Sequence, residues 1–133
     1  MPTLVLLAWA HLEVGEVAQA AEMVAQAITR ERAAHHRLAL VEALWVQAMV
    51  LARQECWTEA EHALEEGLAL ARSMPYPYAE GRLLHVYGQM HAQKGETKLA
   101  QQRLDAALAL FQQLGARADA ARVEQAITDL PRL

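Results

Sequence analysis

The stretch that decides the fold is LHVYGQMHAQKGETKLAQQRLDAA, Leu84–Ala107. It aligns without gaps to LWVQAMVLARQECWTEAEHALEEG from Leu44 and to LVLLAWAHLEVGEVAQAAEMVAQA from Leu4, so each unit begins forty residues after the last. Small residues recur in step at Ala8, Ala48 and Gly88, at Ala20, Ala60 and Ala100, and at Ala27, Gly67 and Ala107. A large apolar residue recurs at Val24, Leu64 and Leu104, and a turn at Gly15-Glu16, Glu55-Cys56 and Gly95-Glu96. An internal repeat of this length marks stacked supersecondary units.

Each unit reads as two helices. Apolar residues fall three and four apart, as in Leu38, Val41, Leu44, Trp45, Ala48 and Leu51, the spacing of one helical face. Helices are predicted over 3–14, 17–34, 36–54, 58–73, 78–94, 97–114 and 117–129. Gly15 and Gly95 supply left-handed residues that end a helix. Thr58 and Thr97 are N-caps or first-turn residues, and Glu61, three after Thr58, suits a capping box. Ser73-Met74-Pro75-Tyr76-Pro77 is the clearest break, because two prolines remove backbone donors. Small residues at fixed places imply close helix approach, with Ala8, Ala20 and their equivalents where the two helices of a unit cross. Gly67 aligns with two alanines, so Gly67→Ala is expected to be neutral or mildly stabilising. The predicted fold is all-α: tandem antiparallel hairpins over about 1–35, 36–74 and 77–114, closed by a capping helix at 117–130, in one domain.

Composition narrows the function. The chain has 133 residues, 54% hydrophobic and 21% charged, enough to bury a core. Its net charge is −4 with acids and bases interspersed, which argues against a direct nucleic-acid surface. Leu4–Ala10 is apolar but too short to span a bilayer, and a single cysteine, Cys56, fits a reducing compartment. The expected location is cytoplasmic. There is no phosphate loop, CxxC, HExxH or GxSxG motif. His35 and His36 are adjacent, His85 and His91 are six apart, and His62 is six from Cys56. None of these spacings presents two metal ligands on one helical face. Glu65-Glu66 lies among polar helix residues and reads as a solvated surface. No catalytic, cofactor or metal residue is expected, and the chain is read as not an enzyme.

Leu84, Tyr87, Gly88, Gly95, Ala100, Leu104 and Ala107 resemble the tetratricopeptide-repeat signature. The first two units match more loosely, with Ala8 and Ala48 for the glycine, and the repeat is longer than the usual ~34 residues. The closest similarity is to degenerate repeat arrays in bacterial signalling ATPases, including maltose-regulator-like transcription activators. The ending Leu114-Gly115-Ala116-Arg117 through Ala121-Arg122-Val123-Glu124 is similar to the way such arrays finish. The resemblance implies a sensing or assembly role beside other domains of a longer polypeptide. It also implies a concave groove lined by the first helix of each hairpin. By register the groove residues are Val5, Trp9, Glu42, Trp45, Met49, Arg53, Arg82, His85, Gln89 and Gln93. Trp9 and Trp45 read equally as core residues.

The two ends differ. Ala120, Val123, Ile127 and Leu130 make a single stripe on a polar last helix, as a cap requires. The first helix is apolar on nearly every side, which calls for burial on more than one face. Leu4, Val5, Leu6 and Trp9 form its expected association face, meeting upstream segments of the same polypeptide or a second copy. Three roles remain: a protein- or peptide-binding scaffold, a homodimerisation module, and a receptor for a small-molecule inducer.

Overall fold

The computed structural model describes residues 2–131. Among them it contains seven α-helices and no strand: α1 (Thr3–Glu13), α2 (Val17–Ala34), α3 (Arg37–Arg53), α4 (Trp57–Ser73), α5 (Pro77–Gln93), α6 (Thr97–Leu114) and α7 (Arg117–Thr128). Each helix packs on the next in the chain, and α1, α3 and α5 also pack side by side. The result is three hairpins and a closing helix. One buried cluster joins α1, α2 and α3, and a larger one runs from α3 to α7; Ile28, Trp45 and Met49 touch both.

The small residues sit where the helices meet. Ala8, Ala20, Ala48, Ala60, Ala100 and Ala107 are fully buried, and Ala27 nearly so. Gly67 departs from expectation. A Cβ there would lie 3.0 Å from both Leu83 methyls, and Leu83 is fully buried. The first hairpin shows why alanine suffices elsewhere. There Ala27 shares a cluster with Ala43, the register equivalent of Leu83. A larger residue at 83 demands a smaller one at 67. Gly67→Ala gains about 1 kcal/mol of helix propensity but overpacks at a cost of about 1–3 kcal/mol. The expected result is a melting temperature that stays level or falls. A clear rise would show that Leu83 can retreat.

The forty-residue period is two periods of twenty. Glu16, His36, Cys56, Tyr76, Glu96 and Ala116 each donate a backbone hydrogen bond to the carbonyl five residues earlier, at 2.6–3.0 Å. This is the bond of a Schellman turn, which satisfies a carbonyl left open at a helix end. The residue just before the donor has positive φ at Gly15, His35, Glu55, Gly95 and Gly115. At the sixth junction it is Pro75, whose ring forbids that conformation. Side chains bracket three of these turns as His–Glu pairs five apart: His11–Glu16 at 3.4 Å, Glu31–His36 at 2.8 Å and His91–Glu96 at 3.0 Å.

Of the two places open to them, Thr58 and Thr97 take the first turn: Cys56 and Glu96 occupy the N-cap positions, because each turn's 6→1 bond fixes the helix start, and no described helix has a side-chain cap hydrogen bond. Two local expectations need correction. Glu61 forms no capping box; its carboxylate accepts from the Tyr87 hydroxyl at 3.2 Å, across to α5. Leu38, expected in a buried stripe, is 58% exposed because it falls on the first turn of α3, ahead of the packed segment.

The association face drawn for α1 also changes. Val5 is fully buried and belongs to the inner cluster, with Leu4 and Trp9 packed beside it. Of the four residues only Leu6 is exposed. A helix turns 100° per residue, so Val5 and Leu6 point about 100° apart, and only Val5 is turned into the cluster.

Candidate functional site

Side chains of α1, α3, α5 and α7 converge on one concave surface. Its deeper part encloses about 500 Å³ and is lined by residues that include Trp9 and Glu13 of α1, Trp45, Met49 and Arg53 of α3, and Arg82, His85 and Gln89 of α5. A second section of about 400 Å³ shares Met49, Arg53, Val86 and Gln89 with the first and adds Gln93. The periodicity explains the convergence. Trp45, Met49 and Arg53 are spaced by four, as are Trp9 and Glu13, and Arg82, His85 and Gln89 by three and four, so each set lies on one helical face.

Arg82 is the centrepiece. Its guanidinium lies 3.3 Å from the centroid of a Trp45 ring and 5.5 Å from that of Tyr78. Burial pulls its pKa below the usual arginine value, while Tyr78, Glu42, Tyr76 and Asp119 favour the charged form. It remains a cation, since arginine does not deprotonate in proteins. Trp45 is therefore both core and groove: one face packs on the buried clusters and the other carries Arg82. Arg82→Ala is expected to destabilise the fold by about 1–2 kcal/mol, through the lost cation–π contact and lost packing. An unchanged melting temperature would show the stacking to be idle.

The polar groups around Arg82 are held in place. The Tyr78 hydroxyl donates to Asp119 at 3.1 Å, and Arg122 donates to the other oxygen of Asp119 at 3.1 Å. Burial first, and this hydrogen bond second, push the Tyr78 pKa up. Arg53 reaches across to donate to the Leu12 carbonyl at 2.6 Å. His85 differs. Burial, helped by the Arg122 charge, lowers its pKa, which favours the neutral imidazole. Its Nε2 is buried with no hydrogen-bond partner among the described residues. Such an atom is costly to leave unmet, but it is covered by neighbouring protein atoms, so His85 lines the groove with the rest of its ring. Gln89 is exposed.

The structure thus gathers Trp9, Trp45, Met49, Arg53, Arg82, His85 and Gln89 in one cavity and Gln93 in its extension. It does not bring Val5 there, since Val5 is fully buried in the inner cluster beneath Trp9. Glu42 is not among the lining residues; it is half-buried and acts on Arg82 through its charge. Sequence reasoning missed Glu13, Tyr78, Asp119 and Arg122. Glu13 and Tyr78 were within reach, each four residues from a predicted member on the same face. Asp119 and Arg122 were hidden by the reading of α7 as a cap whose polar side faces solvent; part of that side closes the groove.

Among the described residues, no His, Cys, Asp and Glu side chains form a group of three or more placed to hold a metal ion. No described helix is long and apolar enough to cross a membrane. No family model, curated protein or solved structure matches the chain.

Proposed function

We propose that the chain is a non-catalytic binding module of tetratricopeptide-repeat type whose groove receives a peptide segment of a protein partner. The observation that carries this reading is the convergence of Trp9, Trp45, Tyr78 and Met49 with three guanidinium groups on one concave surface. Aromatic walls give apolar contact at low entropic cost, while a few fixed polar groups orient a backbone. The groove runs on past Gln89 to Gln93, and this elongation suits an extended or helical segment better than a compact inducer. A binding role also fits the way Arg53, Tyr78, Asp119 and Arg122 are tied to protein partners and rigid. Within this reading the chain works in the cytoplasm, where the free thiol of Cys56 stays reduced. There it serves as a sensor or scaffold segment of a larger bacterial regulator.

The test is a random peptide library displayed on phage and panned against the chain. Enriched peptides, resynthesised, are expected to shift the emission of Trp9 and Trp45 on titration in a Trp57→Phe background. Gln89→Ala combined with Gln93→Ala is expected to weaken them roughly tenfold or more, equivalent to about 1.4 kcal/mol, with the melting temperature unchanged because both side chains are exposed. A library that enriches nothing, or peptides indifferent to these substitutions, would sink the groove reading.

A further inference from the structure

The core is divided where the first hairpin meets α3, and side-chain size explains why. The side of α3 that receives the first hairpin carries Ala43, Val46 and Val50. The register-equivalent side of α5, which receives the second hairpin, carries Leu83, Val86 and Met90, and all six residues are buried. The first three belong to the cluster of α1 and α2, and the second three to the larger cluster that runs on to α7. Burial stabilises in rough proportion to apolar area, so the first hairpin is held less firmly on α3 than the second is on α5.

The three residues shared by the two clusters mark a line across this boundary. Ile28 lines a cleft of about 230 Å³ between α2 and α4, above Leu44, Gln47 and Leu51 of α3. Trp45 and Met49 line the groove on the opposite side, formed mainly by α1, α3 and α5. α1 and α3 pack side by side, but α2 and α4 stand apart with the cleft between them. Close-packed interiors resist compression, so a hairpin turning about this line narrows one opening as it widens the other. That is hinge motion between two rigid parts.

Two arginines reach across the boundary, one on each side. On the groove side Arg53 of α3 donates to the Leu12 carbonyl of α1 at 2.6 Å. On the cleft side Arg32 of α2 donates from both terminal nitrogens to the Glu66 carboxylate of α4, at 2.5 and 2.7 Å. A bidentate pair fixes direction as well as distance. Both partners also line the cleft, and both are partly exposed, with side chains 49% and 37% accessible. The pair therefore bridges the cleft at its mouth, away from the hinge line, where it has leverage on the angle. Exposed pairs add little to stability, so its effect is on the angle more than on the fold.

We propose that the first hairpin, α1–α2, is a jaw that turns about Ile28, Trp45 and Met49, and that the Arg32–Glu66 pair sets its angle and with it the width of the groove. The device depends on the shape of the groove and not on its occupant, so it stands apart from the peptide-binding reading.

Double electron–electron resonance between nitroxide labels in a Cys56→Ser background tests the jaw. Labels on Gln26→Cys and Ala69→Cys span the cleft from α2 to α4. Labels on Glu13→Cys and Gln93→Cys span the groove from α1 to α5, and all four positions are exposed. Glu66→Lys sets two cations face to face. It is expected to lengthen the cleft distance and shorten the groove distance, each by several ångströms, with helical circular dichroism and melting temperature close to the parent's. Adding Arg32→Glu to Glu66→Lys rebuilds the pair with its charges exchanged, and both distances are expected to return to the parent values. Distances that stay fixed in Glu66→Lys, or that change in the same direction, overturn the hinge. A charge exchange that leaves the cleft wide overturns the part assigned to the Arg32–Glu66 pair.

Discussion

Replacing Gly88 by alanine is expected to lower the stability of the fold by about 2–3 kcal/mol, a fall of roughly 5–15 °C in melting temperature for a domain of this size. On an exposed helix the same change would stabilise by about 1 kcal/mol. The sign reverses because the new methyl carbon would stand 2.6 Å from Leu104 Cγ and 2.7 Å from its Cδ2, with the Ala100 carbonyl oxygen at 3.3 Å. Leu104 is 1% exposed, and the nearest atom is its branch point rather than a movable tip. The helices α5 and α6, the most extensively packed pair in the molecule, would have to part. Thermal melts of the single variant and of Gly88→Ala with Leu104→Ala measure the effect. The double variant should lose less than the sum of the two singles. A Gly88→Ala chain as stable as its parent would mean that α5 and α6 do not cross at this point.

Phe111→Ala is expected to cost more, about 3–5 kcal/mol. Phe111 is fully buried and meets Tyr78 edge-on, with centroids 5.8 Å apart at 62°. A Cβ at Gly81 would lie 2.8–2.9 Å from its ring carbons, so the ring fills the space that a side chain at 81 would take. Removing it leaves a cavity between α5 and α6 that rigid neighbouring helices cannot close. Urea unfolding should show a lower midpoint with an unchanged slope, the mark of lost stability without a change in exposed surface. Because Tyr78 walls the groove and donates to Asp119, the same variant should loosen the groove. A midpoint within experimental error of the parent would remove Phe111 from the core.

Much of this molecule is legible along the chain. Hydrophobic spacing, glycine turns and the proline pair place all seven helices to within a residue or two, because these are local preferences acting over a few residues. The recurrence of alanine and glycine identifies the buried crossing positions, because close approach excludes larger side chains wherever the partner lies. Register within one helix likewise collects Arg82, His85 and Gln89 on a common face.

What the chain order could not convey is which distant atoms meet. That Gly67 must stay small depends on Leu83, and that Gly88 must stay small depends on the branch point of Leu104. Both are distances between helices, set by packing density rather than by propensity. The stacking of Arg82 on Trp45, and the turn of Asp119 and Arg122 into the groove, follow from how α3, α5 and α7 are stacked. The side of α1 that carries Val5 and the side that carries Leu6 look alike as sequence. Only the presence of α2 and α3 against one of them makes it core and leaves the other open, because burial belongs to a pair of surfaces and not to a residue type.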